Sequence, residues 1–326
     1  MDKILEIKNL HVHYITDDDT VKALNGVNLS LEVGDSLGLV GETGAGKTTT
    51  ALSIMQLIPY PPGVIVDGEI LFQGKNVIYN TDKENQEMRG NGVSMIFQDP
   101  MTSLNPIMTI GDQLLEVVMT HKDVTKKQGK QMVLDLLKVV GVKEDRYNDY
   151  PHQFSGGMKQ RVVITMALLC NPQLLIADEP TTALDVTIQA QVLEIIKDLQ
   201  EKYKMSLILI THDLGVVAET CNKVAIMYAG EITEYGEVEE VYLNAMHPYT
   251  RGLFDSIPKI DDDDNETLIP IKGSAPNPAD LPSGCPFHPR CKYAQEICKK
   301  ESPLLVGDKH KYKCHFTLFD AEVEEL

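Results

Sequence analysis

One stretch constrains this chain more than any other. Gly41-Glu42-Thr43-Gly44-Ala45-Gly46-Lys47-Thr48 fits the phosphate-loop spacing G-x-x-x-x-G-K-[ST] at every fixed position. Its flanks agree with it: the apolar run Ser36 to Val40 reads as a buried strand leading in, and Thr49 to Leu57 reads as a helix leading out. Glycines at these positions let consecutive backbone N–H groups turn around phosphate oxygens, and the helix start adds the positive end of its dipole. Lys47 is placed to reach the β- and γ-phosphates of ATP and the Thr48 hydroxyl to bind Mg²⁺. Gly41 to Thr48, with Thr49 opening the helix, are therefore the expected nucleotide-binding set. A glycine-rich turn without a ligand would not need all of these positions filled at once.

A second buried run, Leu174 to Ala177, ends in Asp178-Glu179. A carboxylate at a strand end beside a phosphate loop can hold Mg²⁺ through water, which is the expectation for Asp178. Glu179 is expected to orient and polarise the attacking water, because phosphoryl transfer depends on positioning more than on covalent chemistry. Alone, such a strand end would be an ordinary solvated terminus; after a phosphate loop and before Pro180 it points to hydrolysis.

Between these strands lies Phe154-Ser155-Gly156-Gly157-Met158-Lys159-Gln160-Arg161. Here the chain resembles the ATP-binding-cassette (ABC) ATPases, whose signature loop L-S-G-G-Q precedes a helix. In that family two cassettes close head to tail, so the signature loop of one caps the γ-phosphate held by the other. Ser155, Gly156 and Gly157 would do this through the serine hydroxyl and backbone N–H groups at a helix start. Phe154 replaces the family's Leu and Met158 its Gln, and Met has no amide donor to offer. The plainer reading is a serine cap on a glycine turn. The resemblance also makes Gln98 the Q-loop glutamine, a Mg²⁺ or water contact facing the membrane partner. Asp185, after Ala183-Leu184, becomes the D-loop aspartate that communicates across the cassette dimer. His212 becomes the switch histidine that touches the γ-phosphate, and Tyr14 the aromatic that stacks on adenine.

The fold expected is α/β: a P-loop NTPase of the ABC cassette type. It would have a RecA-like parallel sheet core, a β subdomain, a helical subdomain and a small cysteine-containing C-terminal extension. Short strands fill residues 1 to about 95. From about 99 to 165 the β pattern gives way to helical spacing at Ile110, Leu114, Val117 and Val118 and at Val133, Leu136, Leu137 and Val140. Strand and helix then alternate to about 240, with a long helix expected from Ile188 to Lys204. The nucleotide-binding domain is set at 1–245 and the extension at 246–326. The acidic run Asp261 to Asp264 reads as a solvated loop at a boundary rich in proline.

Charge and hydropathy exclude some classes. The net charge of −18 argues against a general nucleic-acid binder. No apolar run approaches the roughly 18 residues of a membrane span. The start of the chain reads as an amphipathic strand, and no secretion signal is expected there. A protein of this kind can still work at a membrane if a partner supplies the channel.

Four of the six cysteines, Cys285, Cys291, Cys298 and Cys314, fall in the extension, separated by five, six and fifteen residues. A disulfide framework does not suit a reducing cytosol. Four thiolates in so short a stretch suit a four-thiolate zinc site or an iron–sulfur cluster. The spacing lacks the C-x2-C pairs of zinc ribbons and the common ferredoxin patterns, so it leaves zinc, iron–sulfur or plain thiols open. Cys170 and Cys221 read as ordinary buried thiols.

The resemblance narrows further in the tail. His247-Pro248-Tyr249-Thr250-Arg251-Gly252-Leu253, then Gly284-Cys285-Pro286-Phe287-His288-Pro289-Arg290-Cys291, is similar to the tail of peptide-importer ATPases. So are Asp99-Pro100-Met101-Thr102-Ser103-Leu104-Asn105-Pro106 and Thr181-Thr182-Ala183-Leu184-Asp185-Val186, the latter in the manner of the D-type subunit. The resemblance implies a [4Fe–4S] cluster on Cys285, Cys291, Cys298 and Cys314, with zinc as the alternative. It implies a peripheral ATPase at the cytoplasmic face of the membrane. Its partners would be a second cassette (an F-type chain, or a second copy when isolated), two integral permease subunits and an extracytoplasmic peptide-binding protein, with no nucleic acid. The alternatives are a nickel or other small-solute importer and a soluble ABC ATPase outside transport; a single cassette without extended heptads disfavours the latter.

Overall fold

The computed structural model describes residues 2–99, 103–182, 184–257 and 270–316. Pro100 to Thr102, Ala183 and the acidic run Asp261 to Asp264 lie outside the described residues. The chain packs as two compact units. One comprises Met1–Ile4, Leu31–Ser36 and Tyr79–Ile210; the other comprises Leu5–Ser30, Leu37–Ile78 and Thr211–Leu326.

In the first unit, Val93–Ile96, Leu174–Asp178 and Ser206–Thr211 run parallel, with Leu174 opposite Val93 on one side and Ser206 on the other. Every residue of Leu174–Asp178 and of Ser206–Thr211 is buried. Strands that are apolar on both faces can only sit inside, as parallel strands do. The helices Ile110–His121 and Lys126–Val139 follow from period and caps together. Thr109 and Thr125 each accept a backbone N–H of the first turn, and Gln128 returns a bond to the Thr125 N–H, closing a capping box. Ile110, Leu114, Val118, Val133, Leu137 and Val140 are wholly buried, each stabilising the packing by about 1.5–3 kcal/mol. Val117, expected on the same stripe, is half-buried, and Leu115 is buried instead.

The helix expected from Ile188 instead spans Val186–Tyr203. It starts early because Asp185 caps it, its carboxylate accepting the Ile188 N–H at 3.0 Å. Val192, Ile196 and Leu199 form its buried stripe.

In the second unit, Lys3–Ile15 pairs antiparallel with Gly63–Phe72, with the register slipping between Lys8 and Val12. Lys223–Tyr228 runs parallel to Ser36–Val40 and antiparallel to Glu231–Glu237. The two residues joining that hairpin, Ala229 and Gly230, are both left-handed (φ 49° and 80°), as a turn matching the strand twist requires. The short strand Lys311–Tyr312 adds to the outer edge of Glu231–Glu237. The end of the chain is therefore woven into the same sheet as the strand leading to the phosphate loop.

Glu234, wholly buried on that edge, ties the extension down. Its carboxylate accepts the N–H groups of Met246 (2.7 Å) and His247 (3.0 Å), and His310 Nε2 lies 2.6 Å from it. His247 Nδ1 accepts the Tyr249 N–H at 3.0 Å, opening the helix Pro248–Asp255. Burial lowers the His247 pKa from 6.5 to about 4, against the pull of Glu234 and with help from Lys313. The folded protein therefore keeps His247 neutral where the unfolded chain protonates it. Its contribution is intact above pH 6.5 and is lost as the pH falls toward 4. The loss attributable to His247 should reach about 2 kcal/mol by pH 5. Asn at this position can still cap the helix but does not titrate. Denaturant unfolding at pH 7.5 and pH 5 should show a shallower decline for His247→Asn than for the parent chain; equal declines would contradict the assignment.

Candidate functional site

The phosphate loop lies in the second unit, between the strand Ser36–Val40 and the helix Lys47–Ile54. Gly46 occupies the N-cap position at φ 106°, where an L side chain is strained and a Cβ would sit 2.8 Å from the Ala23 carbonyl oxygen. Gly41 is required for a different reason: its Cβ would fall 2.1 Å from the Met227 carbonyl oxygen, so only glycine lets the loop start against the neighbouring strand. Thr43, Gly44 and Thr48 are exposed, whereas Lys47 is 8% exposed. The Lys47 ammonium donates to the carbonyls of Gly41 (2.6 Å) and Glu42 (3.0 Å), bracing the loop from within. The Ala45 N–H donates to the Glu42 carbonyl at 3.1 Å, tightening the same turn.

Glu42 differs from its neighbours. Its backbone N–H donates to the Tyr249 hydroxyl at 3.0 Å, and its carboxylate lies 2.9 Å from Arg290 Nη1. Sequence reasoning missed Tyr249 and Arg290 as neighbours of the phosphate loop. They are 207 and 248 residues away in the chain, and no local pattern announces such contacts. The one available signal was that both lie in the tail segments whose residues stood out.

Tyr14 is half-buried on the strand Lys3–Ile15, opposite Gly63. His212 is exposed, between the end of the strand Ser206–Thr211 and Asp213, which caps the helix Leu214–Thr220.

The first unit brings Gln98 and Glu179 together: Gln98 Nε2 donates to Glu179 Oε2 at 2.8 Å. Thr182 Oγ1 donates to the same oxygen at 3.0 Å. Glu179 has a left-handed backbone, φ 46°, a conformation that costs a non-glycine residue about 1–3 kcal/mol and that clusters at functional sites. Its N–H is held by the Ile210 carbonyl at 2.9 Å. Asp178, one residue earlier, is buried at the end of its strand. This is a carboxylate held by two side-chain donors on one oxygen and by a pinned backbone.

Ser155 stands at the N-cap of the helix Gly156–Leu168, yet its hydroxyl makes no capping bond. The plain cap reading therefore does not account for the serine. Gly157 lies where a Cβ would meet Ile188 at 2.6 Å, so the helix start packs directly against the first turn of Val186–Tyr203. Ser155, Gly157 and Met158 line a cleft that also takes in Lys143, Arg146 and Arg161 together with the carboxylates of Asp145 and Asp149. Arg146 is paired with Asp149 at 2.7 Å, and Arg161 donates to the Val140 carbonyl and to Gln191.

One expectation is corrected. Cys285, Cys291, Cys298 and Cys314 do converge on one small apolar cavity, lined also by Phe287 and Tyr293. All are free thiols. Among the described residues, however, no group of three or more His, Cys, Asp or Glu is arranged to hold a metal ion. Burial pushes the Cys285 thiol up to about 12 and the Cys291 thiol up to about 11, with neighbouring cysteines adding to both shifts. Neither the [4Fe–4S] cluster nor its zinc alternative is supported. Cys170 and Cys221 are buried elsewhere, as expected, and burial raises both pKa values.

The family model described as "ABC transporter" matches residues 24–182, and the one described as "Oligopeptide/dipeptide transporter, C-terminal region" matches residues 233–298. The dipeptide transport ATP-binding protein DppD of Bacillus subtilis is 48% identical over 96% of this chain and 95% of its own length. The oligopeptide transport ATP-binding protein OppD of the same organism is 50% identical over 95% of this chain and 88% of its own. Among solved structures, the dimeric ATP-binding cassette MJ0796, in a post-hydrolysis state bound to ADP and Pi, aligns with a TM-score of 0.64. That cassette is 26% identical and covers 72% of this chain and 98% of its own.

Proposed function

This chain belongs to the ABC transporter family, among its oligopeptide and dipeptide transport ATP-binding proteins, and on that premise we infer that it is the ATP-hydrolysing motor subunit of a dipeptide or oligopeptide importer. A single observation carries this reading: a cassette with a complete phosphate loop is joined, in one chain, to the C-terminal region of oligopeptide and dipeptide transporters. Nickel import and a soluble role outside transport do not account for relatives named for peptides over nearly the whole length. Such a subunit works peripherally at the cytoplasmic face of the membrane. No helix among the described residues is long and apolar enough to cross one.

In this reading ATP lies on Gly41 to Thr49 with Tyr14 against the adenine, and Lys47 on the β- and γ-phosphates. Thr48, Gln98 and Asp178 are oxygen donors of the kind Mg²⁺ takes, and the ion would supply charge neutralisation across the phosphates. Glu179 orients the attacking water and His212 contacts the γ-phosphate. Ser155, Gly156 and Gly157 cap the nucleotide of a second cassette, and Asp185 communicates across that pair. Residues 1–245 act as the cassette and 246–326 as the extension. The second cassette is an F-type chain. Two integral permease subunits form the path, an extracytoplasmic binding protein delivers the peptide, and nucleic acid takes no part. ATP binding closes the cassettes and moves the permeases, and hydrolysis resets them.

The test is ATPase activity of the assembled importer in proteoliposomes. Binding protein loaded with a tripeptide should stimulate turnover several-fold, and uptake of the labelled peptide should require ATP. Stimulation by nickel and not by peptide would move the cargo to the alternative. Activity indifferent to the membrane subunits would remove the transport role.

A further inference from the structure

Glu42 places a carboxylate inside a loop whose task is to hold a polyphosphate. A negative charge there works against the ligand unless something cancels it. The fold supplies that partner from the far end of the chain. Arg290 Nη1 lies 2.9 Å from the Glu42 carboxylate, and the two side chains are 8% and 29% exposed. So shielded a pair is far less screened than a surface bridge.

Arg290 is itself held on several sides. Its Nε donates to the Lys272 carbonyl at 3.0 Å and its Nη1 to the Tyr228 hydroxyl at 3.3 Å. Its guanidinium lies over the Tyr228 ring, 5.8 Å from the centroid. Burial opposes its charge, but the bonds to Glu42 and Tyr228 outweigh this and hold its pKa above the ordinary value. Tyr228 packs on Tyr249 at 4.6 Å and takes the edge of Phe287 at 5.3 Å. Tyr249, wholly buried, accepts the Glu42 N–H. The C-terminal region thus grips the second residue of the phosphate loop by its backbone and by its side chain.

We propose that Arg290 is a positioning residue for the ATP site: by pairing with Glu42 it fixes the phosphate loop and cancels a carboxylate charge that would otherwise repel the triphosphate. The proposal rests on the reading that this loop holds ATP. It gives the extension a task that its cysteines do not explain, namely to set the affinity of the cassette for nucleotide.

The experiment is equilibrium binding of a fluorescent ATP analogue with Mg²⁺ to the full chain, with ATPase KM and kcat on the same proteins. Arg290→Ala should raise Kd about tenfold, within the ~5–150-fold usual for coupling between sites, and KM should rise by more than kcat falls. In the double variant Glu42→Gln/Arg290→Ala the uncompensated charge is gone, so it should bind several-fold more tightly than Arg290→Ala alone. A defect that Glu42→Gln does not relieve would make Arg290 a structural residue only and overturn the proposal. Should Arg290→Ala fail to fold, Arg290→Gln keeps a donor for the Lys272 carbonyl and enters the same cycle. Normal affinity in the Arg290 variant beside lost affinity in Lys47→Ala would sink the proposal and leave the phosphate-loop reading standing. Normal affinity in both would sink that reading as well.

Discussion

Replacing Glu179 with Gln should leave ATP binding intact and reduce turnover by about 10²–10⁴-fold, the span usual for removing a positioned acid–base group. The structure explains why the two effects separate. Glu179 Oε2 accepts from Gln98 Nε2 at 2.8 Å and from Thr182 Oγ1 at 3.0 Å. The glutamine amide oxygen can accept the same two bonds, so the side chain keeps its place. It no longer carries the negative charge that polarises an attacking water. The backbone, pinned by the bond from the Glu179 N–H to the Ile210 carbonyl, is unaffected by the change. Single-turnover hydrolysis with radiolabelled ATP, beside equilibrium nucleotide binding, reads both quantities. Full turnover in Glu179→Gln would remove Glu179 from the water-positioning role, and lost binding would make it a ligand to the nucleotide instead.

Lys47→Ala should act on the other step. Charge-assisted hydrogen bonds contribute about 1.5–3 kcal/mol each. In the proposed site the ammonium meets the β- and γ-phosphates, so its loss should weaken ATP binding by about 10²-fold, since about 1.4 kcal/mol is a factor of ten. Lys47 also braces the loop through the Gly41 and Glu42 carbonyls, so some loss of thermal stability should accompany the loss of affinity. Titration calorimetry with ATP and Mg²⁺, with thermal unfolding on the same samples, distinguishes the two. Unchanged affinity in a folded Lys47→Ala protein would overturn the phosphate-loop assignment.

Much of this was legible in the chain because the chemistry is local. A phosphate loop is a run of eight residues with its own strand before it and its own helix after it, so spacing alone identifies it. The same holds for Asp178-Glu179 at the end of an apolar strand and for the paired helices capped by Thr109 and Thr125. Each is written within one or two turns of backbone. The long helix shows the limit: its presence was readable, but its start at Val186 depended on Asp185 acting as a cap, a role masked by the function expected of that residue. Ser155 shows the reverse. Its position invited a capping role, and the geometry withholds the capping bond.

In the tail, the motifs from His247 and Gly284 onward were legible, but the role of its cysteines was not. Four cysteines in one stretch suggested a metal, yet whether thiols ligate depends on where their sulfurs point and how easily they ionise. The fold gathers all four around one small cavity, yet among the described residues no group of three or more His, Cys, Asp or Glu is arranged to hold a metal ion.

The sequence by itself determined the α/β cassette and its nucleotide loop, because those depend on contiguous patterns of apolar residues, glycines and carboxylates; its kinship with peptide-transport ATPases was legible through resemblance to that family's motifs. Only the tertiary structure decided what surrounds Glu42 and where Glu179 is aimed. An ion pair spanning 248 residues, and a left-handed carboxylate held by a glutamine 81 residues away, depend on distances that packing sets and that linear spacing does not encode.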